Sequence, residues 1–256
     1  LAAQLRRRAG VLSRWWACGP FVADEPLAEV FPPQRELLSG AARGASYATR
    51  AGTVAWRQVG WAVAEDAVPV GSLSSAPGPA AIYLHGWIDS PRAQRAALRL
   101  GVGGPFAVFV DGARVHEHRV RRAARADQET VGLRLRAGIT ALTIKVVVSG
   151  AGALLARLTA PDGGELPGVR LVARPPGGWR AAPPPPAGRT DVLDLWSWIA
   201  GRAGDAPEAQ ARDLALLQLR APRFDPRGKR AQQLVRRWAE RAPGPQATLA
   251  LARSLR

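Results

Sequence analysis

The sequence is poor in the residues that most often cross-link chains or carry out catalysis. Its 256 residues include one cysteine, three histidines and no methionine. The lone cysteine, Cys18, excludes an internal disulfide and a cysteine-rich zinc site. No apolar run approaches the roughly 20 residues that span a bilayer, so the sequence predicts no transmembrane segment. Because the chain begins at Leu1 and not at methionine, we expect it to be a segment of a longer protein.

Lysine is also scarce, and arginine therefore supplies most of the basic charge. Only Lys145 and Lys229 are lysines, whereas the chain has 36 basic and 20 acidic residues and a formal charge of +16. Such a charge attracts nucleic acid, anionic lipid and acidic glycans. The arginines are scattered, however, and none of their denser groups is interleaved with stacking aromatic residues. The pattern favours a solvated basic surface and predicts no specific nucleic-acid partner. Salt-sensitive attachment to an anionic polymer or membrane surface stays an alternative.

Glycine and proline, by contrast, are abundant, with 27 and 22 residues. Helical bundles tolerate neither well, so this composition favours short strands joined by turns over the first two thirds of the chain. Alternating apolar residues predict strands at 15–18, 54–59, 81–88, 96–100, 106–110, 113–118, 131–135, 141–148 and 154–158. No helical pattern separates the later strands. We therefore predict an antiparallel β-sandwich, with a hairpin at Asp111-Gly112.

The pattern changes after a proline-rich stretch at residues 175–190, which predicts a stiff linker. From Asp191 onward the apolar residues recur three and four apart, which is typical of helices. Two such helices closed by Pro243 look like one tetratricopeptide-like unit. The predicted order is therefore the end of an upstream helix at 1–12, a sandwich at 13–174, the linker, and a helical repeat-like tail at 191–256.

The histidines form the most suggestive chemical pattern. His116 and His118 lie two apart on a predicted strand, so their side chains share one face and resemble a pair of metal ligands. A zinc site needs a third ligand, and a pair of rim histidines explains the spacing equally well. We therefore predict no metal, but keep both residues, together with Asp111, as candidate ligand-binding residues.

Other catalytic patterns are missing. Cys18 lies in a tryptophan-rich apolar strand, which indicates a buried thiol and not a nucleophile. The glycines at 101–104 are not followed by a helix, as a phosphate-binding loop would be. With three histidines the options for a catalytic triad are few. We predict no enzymatic activity and no cofactor.

Tryptophan is the residue that points to sugars. Among the nine tryptophans, Trp61 and Trp87 lie in or beside predicted strands, where an exposed indole would stack on a pyranose ring. Packing in the core or at a sheet edge is the competing interpretation for both residues. We retain Trp61 and Trp87 as candidate ligand-binding residues.

Several motifs resemble a known family. WACGPF at residues 16–21, followed by FPP at 31–33, resembles the opening of a module in large bacterial tetratricopeptide-repeat proteins, which often carry a transglutaminase-like domain. AQRAALRLG at 93–101, FVDGARV at 109–115 and LRAGITALTIKV at 135–146 resemble the galactose-binding-like jelly roll found beside many glycosidases. The resemblance covers about residues 14 to 160.

The sequence departs from the family pattern at two positions. Asp111 and Thr140 stand where asparagine is usual, and either change is expected to remove a turn-stabilising hydrogen bond. The resemblance implies a non-catalytic accessory module, with a glycan as the candidate ligand, in a secreted or periplasmic bacterial protein. Any transglutaminase-like catalytic residues would lie outside this segment. The alternative is a protein-interaction scaffold, in which helices 191–256 bind the partner and the sandwich is structural.

Overall fold

Antiparallel β-strands make up most of the described structure, as the sequence predicts. The structure, a computed structural model, describes residues 9–174 with gaps at 13, 37–43, 51, 61–66 and 173, together with Arg236, Ala239 and Glu240. The strands are β1 (Arg14–Val22), β2 (Ser46–Thr49), β3 (Gly52–Ala55), β4 (Arg57–Gly60), β5 (Ala67–Val68), β6 (Ala80–Ser90), β7 (Gln94–Val102), β8 (Phe106–Val110), β9 (Ala113–His118), β10 (Glu129–Leu135), β11 (Gly138–Val148), β12 (Leu154–Thr159) and β13 (Arg170–Val172). A one-turn helix, α1 (Pro32–Arg35), and a 3₁₀ helix at Val70–Leu73 complete the described elements.

Two sheets contain most of these strands. The larger has the order β4-β1-β6-β11-β8-β9, with β13 also paired to β6, and the smaller has the order β10-β7-β12-β5. Strands β2 and β3 form a separate hairpin. All of these pairings are antiparallel.

The main core lies between the two sheets. Along β7, the alternate residues Ala96, Leu98 and Leu100 are fully buried in the same cluster as Leu84 of β6 and Ile144 of β11. Burial of each large aliphatic side chain contributes about 1.5–3 kcal/mol. This shared cluster makes the two sheets a β-sandwich.

A second apolar cluster covers the outer face of the larger sheet. It contains Tyr83 and Trp87 of β6, Phe31 next to α1, and Tyr47 and Trp56 near the β2–β3 hairpin. Both faces of β6 are therefore buried. This second layer explains why residues 81–88 are apolar on both faces and do not alternate with polar residues.

The β8–β9 hairpin has the predicted turn. Asp111 and Gly112 both have positive φ, 48° and 83°, as a two-residue type I′ turn requires. Strand β8 spans residues 106–110, as the sequence predicts. The hairpin prediction is confirmed.

Other local predictions differ from the structure. Strand β1 does not stop at Gly19-Pro20 but continues to Val22, with an irregular register between Cys18 and Phe21. Residues 54–59 are interrupted at Trp56, which separates β3 from β4; its backbone N–H bonds to the Ala45 oxygen, and its indole is buried in the outer layer. Residues 9–12 form a turn and a bridge from Val11 to Arg157, so no helix extends to residue 12.

The C-terminal predictions fall largely outside the described residues. The chain divides into two units, residues 1–192 and 193–256. The linker at 175–190 and the tail at 191–256 lie outside the described part, apart from Arg236, Ala239 and Glu240, which are helical. The domain boundaries and the repeat-like tail stay predictions. Within the described part, no helix is long and apolar enough to cross a membrane.

Candidate functional site

The predicted histidine pair lies at the edge of the sandwich. His116 and His118 share one face of β9, the terminal strand of the larger sheet. Both imidazole rings pack against Phe106 of β8, with centroid distances of 5.6 Å each. Because Phe106 belongs to the core between the sheets, the two rings close the edge of that core.

One carboxylate from the other sheet connects the two histidines. Glu129 begins β10, and its carboxylate oxygens lie 3.5 Å from His116 Nε2 and 3.3 Å from His118 Nδ1. Arg122, in the connection between β9 and β10, places Nη2 2.8 Å from Glu129 Oε1, with only 5% of its side chain exposed. We call His116, His118, Arg122 and Glu129 the edge cluster. It joins the terminal strands of the two sheets.

The electrostatics of the edge cluster favour a neutral histidine beside an ionised glutamate. Burial lowers the pKa of His118, and the neighbouring Arg122 lowers it further against the opposing charge of Glu129. Burial alone would raise the pKa of Glu129. The neighbouring His116 imidazole and the positive charge of Arg122 outweigh burial and hold the Glu129 pKa below its usual value. The fixed charges of Arg122 and Glu129 then balance.

A metal site does not follow from this geometry. Within the described part of the chain, no group of three or more histidine, cysteine, aspartate or glutamate side chains is arranged to hold a metal ion. The carboxylate nearest the two histidines is already paired with the buried Arg122. The edge cluster is therefore arranged as a structural closure of the sandwich.

We expect the edge cluster to make the fold acid-sensitive. The pKa of His118 in the folded state lies below its ordinary value of 6.5. As pH falls through 6.5, His118 of the unfolded chain binds a proton before His118 of the folded chain does, so the free energy of unfolding decreases. Urea unfolding between about pH 7.5 and pH 5 should show this loss in the wild type and a smaller loss in His118→Asn.

His85 contributes to the same trend and must be separated from it. Burial lowers the pKa of His85 to about 3, so it also remains neutral in the folded protein. Its contribution cancels in the difference between wild type and His118→Asn, because both proteins retain it. An identical pH dependence in the two proteins would show that His118 is not the acid-sensitive group.

Asp111 serves the fold of the hairpin. The residue is buried, its Oδ1 accepts a hydrogen bond from the backbone N–H of Ala141 at 2.9 Å, and Arg136 pairs with its Oδ2. The family resemblance predicted that aspartate in place of asparagine would remove a turn-stabilising hydrogen bond, but Asp111 accepts such a bond in the structure. Thr140 is also buried, and its hydroxyl has no hydrogen-bond partner among the described residues. The contacts with Ala141 and Arg136 leave the Asp111 carboxylate little access to a ligand.

The two candidate tryptophans have different outcomes. Trp61 lies outside the described residues. Trp87 is 0% exposed in the outer layer, where the ring of His85 packs edge-on at 4.5 Å. A fully covered indole cannot stack on a sugar in this conformation, so the sequence-based assignment of Trp87 as an exposed platform does not fit the structure.

The thiol of Cys18 is equally inaccessible. Cys18 is buried in the outer layer, and burial raises the pKa of its thiol to about 12. A thiol that stays protonated at neutral pH is a poor nucleophile. This agrees with the structural role predicted from the sequence.

Trp16 is the accessible aromatic residue that the sequence analysis did not select. Among the described aromatic residues, Trp16 is the one that is half-buried, whereas the others are buried. It lies on the outer face of β1, and the Arg174 guanidinium carbon is 6.0 Å from its ring centroid. Adjacent residues of a strand lie on opposite faces, so Trp15 and Trp16 face different ways, and the sequence does not show which face is fully covered.

Comparisons with known proteins give partial matches. No protein-family model and no curated protein matches the chain. A PA14 sugar-binding domain from an RTX adhesin matches 37% of this chain and 51% of its own, with 20% identity and a TM-score of 0.29. A family 35 carbohydrate-binding module from Clostridium thermocellum matches 38% of this chain and 89% of its own, with 11% identity and a TM-score of 0.26. A β-glucosidase from Kluyveromyces marxianus matches 41% of this chain and 14% of its own, with 14% identity and a TM-score of 0.33.

These matches cover limited parts of the chains. The chain spans about half the length of two PA14 structures, 48% and 51%. The tetratricopeptide-repeat and transglutaminase-like context that the sequence resemblance implied finds no support in the comparisons.

Proposed function

We propose that the chain is a non-catalytic binding module whose ligand is a carbohydrate. It would form a galactose-binding-like jelly roll within a larger bacterial multidomain protein, as the sequence resemblance implies. The PA14 domain and the family 35 module named above are described as binding the same class of ligand, but the proposal does not rest on them because their similarity to this chain is distant.

The observation that carries the non-catalytic part is how the fold uses its reactive groups. All three histidines and the only cysteine of the chain lie among the described residues. His85 and Cys18 are buried in the outer layer, and His116 and His118 both contact Glu129. Side chains engaged in this way hold the sandwich together and leave no free general base or nucleophile among these four.

The observation that supports a sugar ligand is the surface at Trp16. An indole offers a flat apolar face to the C–H side of a sugar ring, and an arginine beside it donates hydrogen bonds to hydroxyl groups. Trp16 and Arg174 bring these two groups together on the outer face of the larger sheet. Val172, which precedes Arg174, packs against the same apolar cluster.

Replacing Trp16 tests this proposal. We expect Trp16→Ala to weaken glycan binding by about tenfold, and Trp16→Phe to weaken it less because a ring remains. Affinity electrophoresis through gels containing soluble polysaccharides would measure both variants. Val115→Ala is the matched control, because Val115 is an exposed apolar residue on the distant strand β9.

Two outcomes would count against the Trp16 surface. Glycan retardation that is equal in wild type, Trp16→Ala and Val115→Ala would place the ligand elsewhere. A large drop in the urea midpoint of Trp16→Ala would mean that its loss of retardation reflects unfolding, and Trp16→Phe then decides. A folded Trp16→Phe that loses as much retardation as Trp16→Ala would contradict the proposal, because the remaining ring should still stack on the sugar.

A further inference from the structure

The outer face of the smaller sheet carries an unusual set of side chains. Along β7, alternate residues from Ala96 to Val102 face the core, so Arg95, Ala97, Arg99 and Gly101 lie on the opposite face. The same alternation places Thr130, Gly132 and Arg134 of β10, and Leu155, Arg157 and Thr159 of β12, on this outer face. Its four longest side chains are therefore all arginines.

The register brings these arginines together in pairs. Arg134 of β10 lies directly opposite Arg95 of β7, and Arg157 of β12 lies directly opposite Arg99. Directly opposed side chains have Cβ atoms about 4.5–5.5 Å apart, and like charges in that position repel each other. The two pairs are four residues apart along β7, or about 13 Å.

Small residues fill the space between the two pairs. Ala97 of β7 lies opposite Gly132 on one side and Thr159 on the other. Together these three residues form a low strip that runs across the strands, with one arginine pair on each side. We call the strip and its four arginines the arginine face.

The two pairs differ in how far the protein neutralises them. Arg157 pairs with both oxygens of Asp127, and Arg99 donates to the hydroxyl of Thr159 at 3.0 Å. Arg95 and Arg134 are exposed, and within the described residues neither has an ion-pair or hydrogen-bond partner. Among the described residues, two adjacent guanidinium groups are thus uncompensated at a position where they repel each other.

We infer that the arginine face binds an acidic polysaccharide, whose carboxylate or sulfate groups pair with Arg95 and Arg134. This inference rests on the proposed carbohydrate-binding function and specifies the class of glycan. Guanidinium groups bind such oxyanions with two parallel hydrogen bonds, and one anion between opposed arginines relieves their repulsion. Ala97 and Thr159 in the strip are only 0% and 2% exposed, so the glycan would be held by the exposed guanidinium groups of Arg95 and Arg134.

The same face is less suited to a nucleic acid. Single-stranded nucleic acids are held by aromatic side chains that stack on successive bases. On β7, β10 and β12, the residues of this face include no aromatic side chain. The charge complementarity therefore favours an acidic glycan.

The experiment compares two probes and two double variants of the full chain. The probes are polygalacturonate and its methyl-esterified form, which have the same sugar backbone with and without charge. We expect tight binding of the charged probe, and about tenfold weaker binding by Arg95→Gln/Arg134→Gln. The urea midpoint of this variant should equal or exceed that of the wild type, because a repulsive pair has been removed.

A second double variant separates a site from net charge. Arg114→Gln/Arg119→Gln removes the same number of positive charges at β9 and the residue that follows it, where the two arginine side chains are 58% and 75% exposed. We expect this variant to bind polygalacturonate within about threefold of the wild type. Equal weakening by the two double variants would overturn the inference, since net charge alone would then explain the binding.

Two further outcomes would also overturn it. If single-stranded DNA binds as tightly as polygalacturonate and with the same dependence on Arg95 and Arg134, the face is a nucleic-acid surface. If the esterified probe binds as well as the charged one and neither variant weakens it, the glycan is neutral. In that last case the carbohydrate-binding proposal stands and the inference of an acidic glycan is wrong. If no glycan binds, both are wrong.

Discussion

Replacing Trp87 with alanine should lower the free energy of unfolding by about 3–5 kcal/mol. The Trp87 side chain has no exposed surface and packs in the outer layer with the ring of His85 edge-on. Removing a fully buried indole loses its transfer free energy and leaves a cavity that the surrounding strands fill only in part. Urea unfolding followed by far-ultraviolet circular dichroism would measure the change.

Trp16→Ala is the matched comparison for this prediction. Trp16 lies on the same face of the larger sheet but is half-buried, so we expect a loss of about 1–2 kcal/mol. A loss below about 1 kcal/mol in Trp87→Ala would mean that the outer layer does not cover β6. Trp87 would then be exposed and would return as a candidate sugar platform.

The second large effect is expected at Lys145, which is 0% exposed beneath the same outer layer. Its ammonium group donates to the backbone oxygens of Leu27 and Glu29 at 2.9 and 2.5 Å, and to Gln34 Oε1 at 3.3 Å. The nitrogen also lies 5.1 Å from the ring centroid of Phe31. These contacts attach the segment around α1 to the centre of the larger sheet.

We expect Lys145→Met to cost about 3 kcal/mol, because buried carbonyl acceptors lose their donor while the apolar stem is kept. Hydrogen exchange at the amides of Ala28 and Gln34, which bond within this segment, should become faster. Arg95→Met is the control, since this exposed side chain has no described partner and should change stability by less than about 0.5 kcal/mol. Unchanged exchange in Lys145→Met would show that Lys145 does not hold the segment.

The pH dependence of the Lys145→Met effect gives an independent check. Burial lowers the pKa of Lys145 to about 8 from an ordinary value of 10.5. Between these values the unfolded chain holds a proton that the folded chain has lost, so rising pH favours folding in the wild type. The stability difference between wild type and Lys145→Met should therefore widen from pH 8 to 10.5. The tyrosine and cysteine residues titrate in both proteins, so their contributions cancel in the stability difference.

The strands between β6 and β12 could be predicted because their signals are local. Alternation of apolar residues found β7 and β10, and the Asp111-Gly112 turn fixed the β8–β9 hairpin. The outer layer could not be predicted in the same way. Its covering segments are proline-rich or consist of short strands, and their partners on β6 and β11 are distant in sequence. Lys145 and Leu27, for example, are 118 residues apart.

The candidate sites show the same division between local and distant information. The two-residue spacing predicted that His116 and His118 share a face, but Glu129 comes from a different sheet, and nothing local joins it to β9. The arginine face likewise depends on cross-strand register. The sequence shows scattered arginines, whereas the pairing of β7 with β10 and β12 places them opposite each other.

The most direct test of the carbohydrate-binding proposal is calorimetric titration of the purified chain with a panel of neutral and acidic soluble glycans, at about 0.05 and 0.5 M salt. We predict saturable binding of at least one glycan class. Part of this binding should persist at high salt, because ring stacking is not screened, and Trp16→Ala should weaken it. The contrary result is that no glycan binds at either salt concentration, or that every polyanion binds equally and only at low salt.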